Sequence, residues 1–396
     1  MKNIFIVALI AFTSVAYAAN SSLRVIETST LNAKYFLKDF PNDIKIIKQD
    51  TKLTALLVPW SIVPKLSATI HKYTGHCGGF MDVTIEKTNA AQLRSNRHSR
   101  RFAMGGLHLP PLPSKRSDID SALKQIVPSN IEGFVKTYSS TFTTRLATST
   151  PGAEAPKWLA DQWKKLAMSF NRSDIEVMLL DPPKGYKQNS VRILIPGSDP
   201  TAPVVVMGAH LDSINQNFGT TAPGSDDDAS GISALTEVFR VLLINNIHPK
   251  ASIHIFGYAA EELGLYGSRA IAEAYSNKNV PVKGVLQLDM VAYPGESHAL
   301  TFYDDFTSKE LSLWSEQLYG LYVGGNVKHD SCGYGCSDHA SWDRFGYPAI
   351  MPFESPFNEM NHRIHSKNDV WDSKLDADYA AQFSKLAYAF AVLLSE

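Results

Sequence analysis

Several short stretches of this 396-residue chain carry groups that could bind a cation or move a proton. The apolar run Val204–Met207 leads into Gly208-Ala209-His210-Leu211-Asp212, and Asp226-Asp227-Asp228 follow a Gly-Ser loop. Ser252–Ala260 delivers Glu261-Glu262, Gly284–Leu288 delivers Asp289, and Arg363-Ile364-His365 places an imidazole in a loop. Each group alone has an ordinary explanation. Three aspartates before a helix read as an N-cap with first-turn charges, Glu261-Glu262 as an exposed helix start, and His365 as a structural histidine. Together they point elsewhere, because separate strands all end in metal-ligand types, and so many carboxylates at one sheet edge repel one another without a cation. Imidazole and carboxylate without thiolate suit zinc, with manganese or cobalt as substitutes. One metal takes about three protein ligands plus water; five candidates imply two metals roughly 3.5–4 Å apart that share a carboxylate and a water. Asp212, two residues past His210, is placed to orient that imidazole through its other nitrogen.

The elements that must position these groups are legible from residue 118 onward. Leu159, Trp163 and Leu166 mark one helical face, and Ile232, Leu235, Phe239 and Leu242 mark another within Ser230–Leu243. Val191–Ile195, Val204–Met207, Ser252–Ala260 and Gly284–Leu288 read as strands, and Val204–Met207 is apolar throughout, as in a strand buried on both faces. Tyr379, Phe383, Leu386, Phe390 and Leu393 form the stripe of a closing helix. The alternation predicts an α/β domain over 118–396, with a mostly parallel central sheet flanked by helices. Its functional groups should gather beyond the carboxyl ends of the strands. No internal repeat is seen.

The front of the chain reads differently. Lys2, the apolar stretch Ile4–Phe12 and Ala16-Tyr17-Ala18 have the form of a signal peptide over 1–18, implying Sec export and a secreted protein beyond the outer membrane. The apolar stretch is too short for a membrane anchor, and no other run reaches about 18 apolar residues. Residues 19–106 read as a small α+β domain with strands at Thr54–Trp60 and Phe80–Val83. Residues 107–117 form a Pro-rich linker between the dibasic pairs Arg100-Arg101 and Lys115-Arg116. Such an organisation predicts a propeptide and an activating protease. A net charge of −1 offers no general attraction to nucleic acid. Three cysteines, Cys77, Cys332 and Cys336, exclude a disulfide scaffold.

The motifs also carry a family resemblance over about 118–396. Gly208-Ala209-His210-Leu211-Asp212-Ser213, Ala222-Pro223-Gly224-Ser225-Asp226-Asp227-Asp228-Ala229-Ser230-Gly231, Tyr258-Ala259-Ala260-Glu261-Glu262 and Gln287-Leu288-Asp289-Met290 resemble the M28 metallopeptidases. Cys332-Gly333-Tyr334-Gly335-Cys336-Ser337-Asp338-His339 and Met351-Pro352-Phe353-Glu354-Ser355 resemble its secreted bacterial leucyl aminopeptidases of the Vibrio type, and residues 19–106 resemble their propeptides more weakly. The resemblance implies a monomeric aminopeptidase that acts on peptides with a free N-terminus and holds two Zn²⁺ per chain. His210 and Asp289 would bind one zinc and Glu262 and His365 the other, with Asp227 bridging and a cis Asp227-Asp228 peptide. Glu261 would be the general base toward the shared water, and Tyr334 would donate to the oxyanion from a loop closed by a Cys332–Cys336 disulfide, with Cys77 outside it. Met290, Met351, Phe353, Phe357 and Ile364, with the cysteine pair, would line a pocket for Leu, Phe, Tyr or Met. Met360 stands where the Vibrio enzyme has tyrosine, and the adjacent Glu359 leaves a Lys/Arg preference as the alternative. A glutaminyl cyclase-like acyl transferase and a non-catalytic binding domain share the fold, but both are disfavoured by a full set of five ligands and a base.

Overall fold

A computed structural model describes residues 23–74, 79–84, 109–111, 114–216 and 219–396. The signal segment, Cys77 and the Arg100-Arg101 pair lie outside the described residues.

The front unit is a four-stranded antiparallel sheet in the order β2-β3-β1-β4, built from β1 (Leu23–Ser29), β2 (Lys45–Gln49), β3 (Leu53–Pro59) and β4 (Phe80–Asp82). β1 and β3 alternate buried and half-buried residues, as a sheet with one covered face requires. Helices α1 (Thr30–Asp39) and α2 (Val63–Thr74) supply the cover, and Ile26, Phe36, Leu56, Val58, Leu66 and Ile70 close a core separate from the rest of the chain. Of these elements the sequence reading found only β3 and β4.

The main unit begins with helices α3 (Ser117–Leu123), α4 (Pro128–Thr141) and α5 (Thr150–Ser169). Its six-stranded sheet runs β12-β9-β7-β8-β6-β5, from β5 (Glu176–Leu180), β6 (Ser190–Ile195), β7 (Val204–His210), β8 (Ile253–Tyr258), β9 (Val282–Gln287) and β12 (Ala349–Ile350). The pairs β12–β9, β9–β7 and β7–β8 are parallel, whereas β8–β6 and β6–β5 are antiparallel, so the sheet is mixed with a parallel centre. A smaller sheet, β11-β10-β13, is formed by β10 (Ala299–Tyr303), β11 (Asn326–Asp330) and β13 (Pro352–Phe353).

β7 explains the layering. Val205, Met207 and Ala209 face a large core with α6 (Ala229–Ile244) and α10 (Ala377–Leu394), while Val204 and Val206 face a second core beside α7 (Tyr266–Asn277) and α9 (His339–Arg344). The remaining helix, α8 (Lys309–Tyr322), lies against α10. Every residue of β7 is buried, so the strand fixes the position of His210 at its end.

The expected linker 107–117 is not a free spacer at its described residues. Leu109 packs on the large core, Trp314 Nε1 donates to Pro110 O at 2.8 Å, and Arg116 pairs with Asp118 and Glu396. Leu109 and Pro110 are thereby tied to the main unit. No described helix is long and apolar enough to cross a membrane.

Candidate metal centre

The carboxyl ends of β7, β8 and β9 deliver His210, Glu261-Glu262 and Asp289 to one edge, and the loop before α6 brings Asp227 between them. His210 Nε2 lies 2.9 Å from Asp227 Oδ1 and 3.6 Å from Asp289 Oδ1. His365 Nε2 lies 3.0 Å from Asp227 Oδ2 and 2.8 Å from Glu262 Oε2. Ligand atoms of His210, Asp227 and Asp289 fall within 4.8 Å of one another, and so do those of Asp227, Glu262 and His365. Asp227 therefore belongs to both groups, one oxygen toward each imidazole. Glu262 Oε1 is buried without a hydrogen-bond partner, and Asp227 Oδ2 faces His365 without hydrogen-bond geometry. This buried nitrogen and oxygen set fits a pair of divalent cations such as zinc.

Charge at the site is unbalanced in the same sense. Burial pushes the Glu262 carboxyl up to about 7, with Asp227 adding to the effect, and pushes the half-buried Glu261 well above the ordinary carboxylate range. Burial acts the same way on Asp227, but the His210 and His365 imidazoles beside its two oxygens hold it below its usual value. Asp289 and Glu261 raise His210 against the opposing effect of burial.

Backbone around these groups is held by more carboxylates. Asp228 caps α6 through Gly231 N at 2.9 Å, and also accepts from Met290 N and His210 N, both at 3.1 Å. The N-cap reading of the aspartate triplet holds at Asp228, next to the candidate ligand Asp227. A Cβ on Gly231 would stand 2.6 Å from Leu288 O, so only glycine lets the helix start this close to the β9 end. The Asp227-Asp228 peptide is cis. Asp212 accepts from Glu261 N at 3.0 Å and Glu262 N at 3.3 Å, and its Oδ1 lies 3.5 Å from His210 Nδ1. It thus orients the backbone of the β8 loop at least as much as the imidazole. Ala260, Met290 and His365 all adopt positive φ, near 52°, 56° and 54°. Each costs roughly 1–3 kcal/mol, and all three are candidate ligands or lie within two residues of one.

Among the supports missed in the sequence are Asp369 and Gln216. Asp369 accepts from Asp226 N at 2.9 Å and Asp227 N at 3.1 Å, and Gln216 Nε2 lies 2.6 Å from His365 Nδ1. Gln216 follows His210-Leu211-Asp212 in the same loop and Asp369 follows His365 by four residues; that proximity was the only signal.

Met290, Met351, Phe353 and Ile364 form one apolar cluster with Tyr303 and Met360, and Phe357, Cys332 and Cys336 pack against it. The Cys332–Cys336 disulfide is formed, with S–S 2.03 Å, and Tyr334 within it is buried. Glu359 accepts from Ser297 N at 2.8 Å and lies 3.5 Å from Lys328 Nζ. The front unit reaches the same edge: the His71 and His365 rings are 5.5 Å apart, and Ser67 Oγ lies 3.0 Å from Gln216 Nε2.

The model of peptidase family M28 matches residues 190–391, which include His210, Asp227, Glu262, Asp289 and His365. The chain belongs to this family. Leucine aminopeptidase 1 from Pyrenophora teres f. teres is 34% identical over 309 residues, covering 75% of this chain and 78% of that protein. The structure of the Legionella pneumophila LapA aminopeptidase covers 94% of this chain and 98% of its own, at 31% identity and a TM-score of 0.78. LapB from the same organism gives 0.79 at 29% identity, covering 94% and 99%. A Porphyromonas gingivalis glutaminyl cyclase, 17% identical with a TM-score of 0.55, shares the fold alone. Within family M28 the chain is a metallo-aminopeptidase, and its parallel sheet centre with flanking helices agrees with these relatives.

Proposed function

We propose that the chain is an exported, two-zinc aminopeptidase that removes large apolar residues from free N-termini and is made with a removable front unit. The observation that carries this reading is Asp227, which offers one carboxylate oxygen to the His210–Asp289 group and the other to the Glu262–His365 group. The metal pair, when bound, polarises the scissile carbonyl and acidifies the attacking water. Glu261, beside a ligand and half-buried, takes the proton from that water on its carboxylate and hands it to the leaving amine nitrogen. The Tyr334 hydroxyl donates to the developing oxyanion from a loop whose ends the disulfide ties together. The cluster around Met290, Met351, Phe353, Phe357 and Ile364 seats the first side chain and excludes water from it.

Glu359 is occupied by Ser297 and Lys328, which supports apolar over basic first residues. The name leucine aminopeptidase, carried by the fungal relative, agrees with that preference. Export rests on the N-terminal sequence, and the propeptide on the separate core of the front unit and its position beside His365. The test is a panel of aminoacyl-anilides together with a metal count on the purified mature enzyme. Leu, Phe, Tyr and Met should lead the panel, and about two zinc ions should be found per chain. A lead for Lys or Arg would discard the apolar assignment, and one metal would discard the bridged pair.

A further inference from the structure

We infer that Arg145 is a positioning residue for the metal centre, and that its turn holds three ligand-bearing loops in one arrangement. The inference rests on the two-metal reading above.

Arg145 is fully buried and is among the largest buried side chains of the chain. Its guanidinium donates to three backbone carbonyls: Nε to Leu211 O at 2.9 Å, one terminal nitrogen to Gly224 O at 2.8 Å, and the other to Pro223 O. Leu211 follows His210 directly, and Pro223-Gly224 lead into Asp226-Asp227-Asp228. The ring of Tyr138 lies under the guanidinium at 4.6 Å, and its hydroxyl donates to the same Leu211 O at 3.2 Å. The two loops are thus joined through one rigid fork.

The backbone of Arg145 reaches the third loop. Gln188 Nε2 donates to Arg145 O at 2.8 Å, and Gln188 Oε1 accepts from Ala260 N at 3.0 Å. Ala260 is the positive-φ residue immediately before Glu261-Glu262. Arg145 N also donates to Ser213 Oγ at 3.1 Å, and Ser213 Oγ donates to Ala222 O at 2.8 Å, which closes the ring of contacts between the first two loops.

The choice of residue carries the argument. A buried cation whose direct partners are neutral carbonyls is costly, and three carbonyls alone could be served by water or a neutral donor. A guanidinium adds a fixed planar fork that addresses diverging acceptors, and a permanent positive charge behind a carboxylate cradle, felt by the buried Asp369. Lysine cannot match that fork. The signal in the sequence is slight, because Thr143-Thr144-Arg145-Leu146 contains no metal-ligand residue.

The test compares the full chain with Arg145→Met, Arg145→Lys and a control, Arg172→Met. Arg172 is another buried arginine, but it bonds to Ile247 O and Asp174, away from the ligand loops. Zinc affinity is read by chelator competition, ligand geometry by the visible spectrum of the cobalt form, and folding by the thermal midpoint. Arg145→Met should weaken zinc binding by about 10–100-fold and shift the cobalt bands, with a smaller loss in Arg145→Lys. Arg172→Met should lower the midpoint and leave zinc affinity as in wild type. A folded Arg145 variant with wild-type affinity and cobalt spectrum overturns the inference; if the methionine variant does not fold, the lysine variant decides. Loss of zinc affinity in Arg172→Met in step with its midpoint also overturns it, since instability alone would then explain the effect. Wild-type protein that binds no zinc would instead overturn the two-metal reading itself.

Discussion

Gln216 Nε2 stands 2.6 Å from His365 Nδ1, and the same nitrogen lies 3.0 Å from Ser67 Oγ on α2 of the front unit. An imidazole that coordinates through Nε2 carries its proton on Nδ1 and needs an acceptor there. A Gln216 amide turned so that Oε1 faces the ring would meet that need, and Oε1 would then accept from the Ser67 hydroxyl as well. Gln216→Leu should therefore weaken zinc binding and lower activity by about 10–100-fold, while Gln216→Glu, which keeps an acceptor, should retain the metal. Chelator competition on both variants checks this. Wild-type affinity in the leucine variant would mean that Gln216 serves only the contact with Ser67.

Glu261 is the residue on which the chemical step should depend. Glu261→Gln keeps the side-chain size, so two metals should remain bound while kcat falls by roughly 10²–10⁴. Metal analysis alongside steady-state kinetics separates this from a ligand role. Loss of one zinc from the glutamine variant would make Glu261 a ligand.

The sequence disclosed the site more fully than it disclosed the scaffold. The candidate ligands His210, Asp227, Glu262, Asp289 and His365 stood out because metal-ligand residue types at three strand ends and in two loops have no common structural purpose. The residues that hold them did not. Asp369, Arg145 and Gln188 act through backbone amides and carbonyls, and Gln216 reaches the His365 ring from 149 residues away along the chain, so these partners depend on the fold rather than on local spacing. The strands β7, β8 and β9 were visible as apolar runs, whereas β1, β2 and both front helices were not. A small unit with short, half-exposed elements gives weak periodicity: β2 is exposed along its whole length. The antiparallel side of the main sheet was also hidden, since strand direction leaves no mark in composition.

Metal removal should change how stability depends on pH. Burial pushes Asp338 up to about 8, and burial with neighbouring carboxylates pushes Asp226 and Glu262 up to about 7. Between about pH 5 and 8 the metal-free native state then binds more protons than the unfolded chain, whose carboxylates are ionised. The free energy of unfolding must fall as pH rises through that window. His254 and His339, lowered by burial to about 3 and about 4, oppose the trend only below about pH 6.5, where the unfolded imidazoles take up protons. Calorimetry of chelated protein should give a higher midpoint near pH 7 than near pH 8.5, and bound zinc should flatten the difference. A metal-free midpoint that climbs over that interval would show that these carboxyls are ionised.

The proposed first-residue pocket makes a separate prediction. Met360 is buried in the cluster with Met290, Met351 and Tyr303, and methionine adapts to differently shaped partners. Met360→Ala should enlarge the site and shift kcat/KM toward Phe and Tyr relative to Leu, by roughly 10-fold for a change of one to two methylene groups. Glu359→Gln should leave the Lys/Leu ratio unchanged, because Ser297 and Lys328 already hold that carboxylate. A panel of anilides reads both, and a fall in Lys turnover in the glutamine variant would restore the basic preference.

The front unit should restrain the enzyme, and cutting the chain should not by itself release it. Its own core is independent, so it can leave without opening the main one. It is nevertheless held at two places. Near the metals, Ser67 contacts Gln216 and the His71 ring faces His365. At the other, fully buried Asp82 accepts from the Tyr266 hydroxyl and lies 3.3 Å from an Arg269 terminal nitrogen, while Met81 and Val83 pack with Leu265 and Ala340. Lys115-Arg116 is tied down in ion pairs with Asp120, Asp118 and Glu396, which leaves the earlier dibasic pair as the better processing site. Cleavage there should give a complex that still elutes as one species and remains largely latent on a small anilide. Asp82→Ala removes one partner of a buried charge pair and should cost the docked state about 2–5 kcal/mol. The same cut in that variant should then free the front unit and raise kcat/KM, mainly through KM, because the block is steric. Gel filtration with kinetics before and after cleavage decides the matter. Full activity in uncut wild-type protein would show that the front unit is no inhibitor, and prompt dissociation on cleavage of wild type would show that Asp82 is not what holds it.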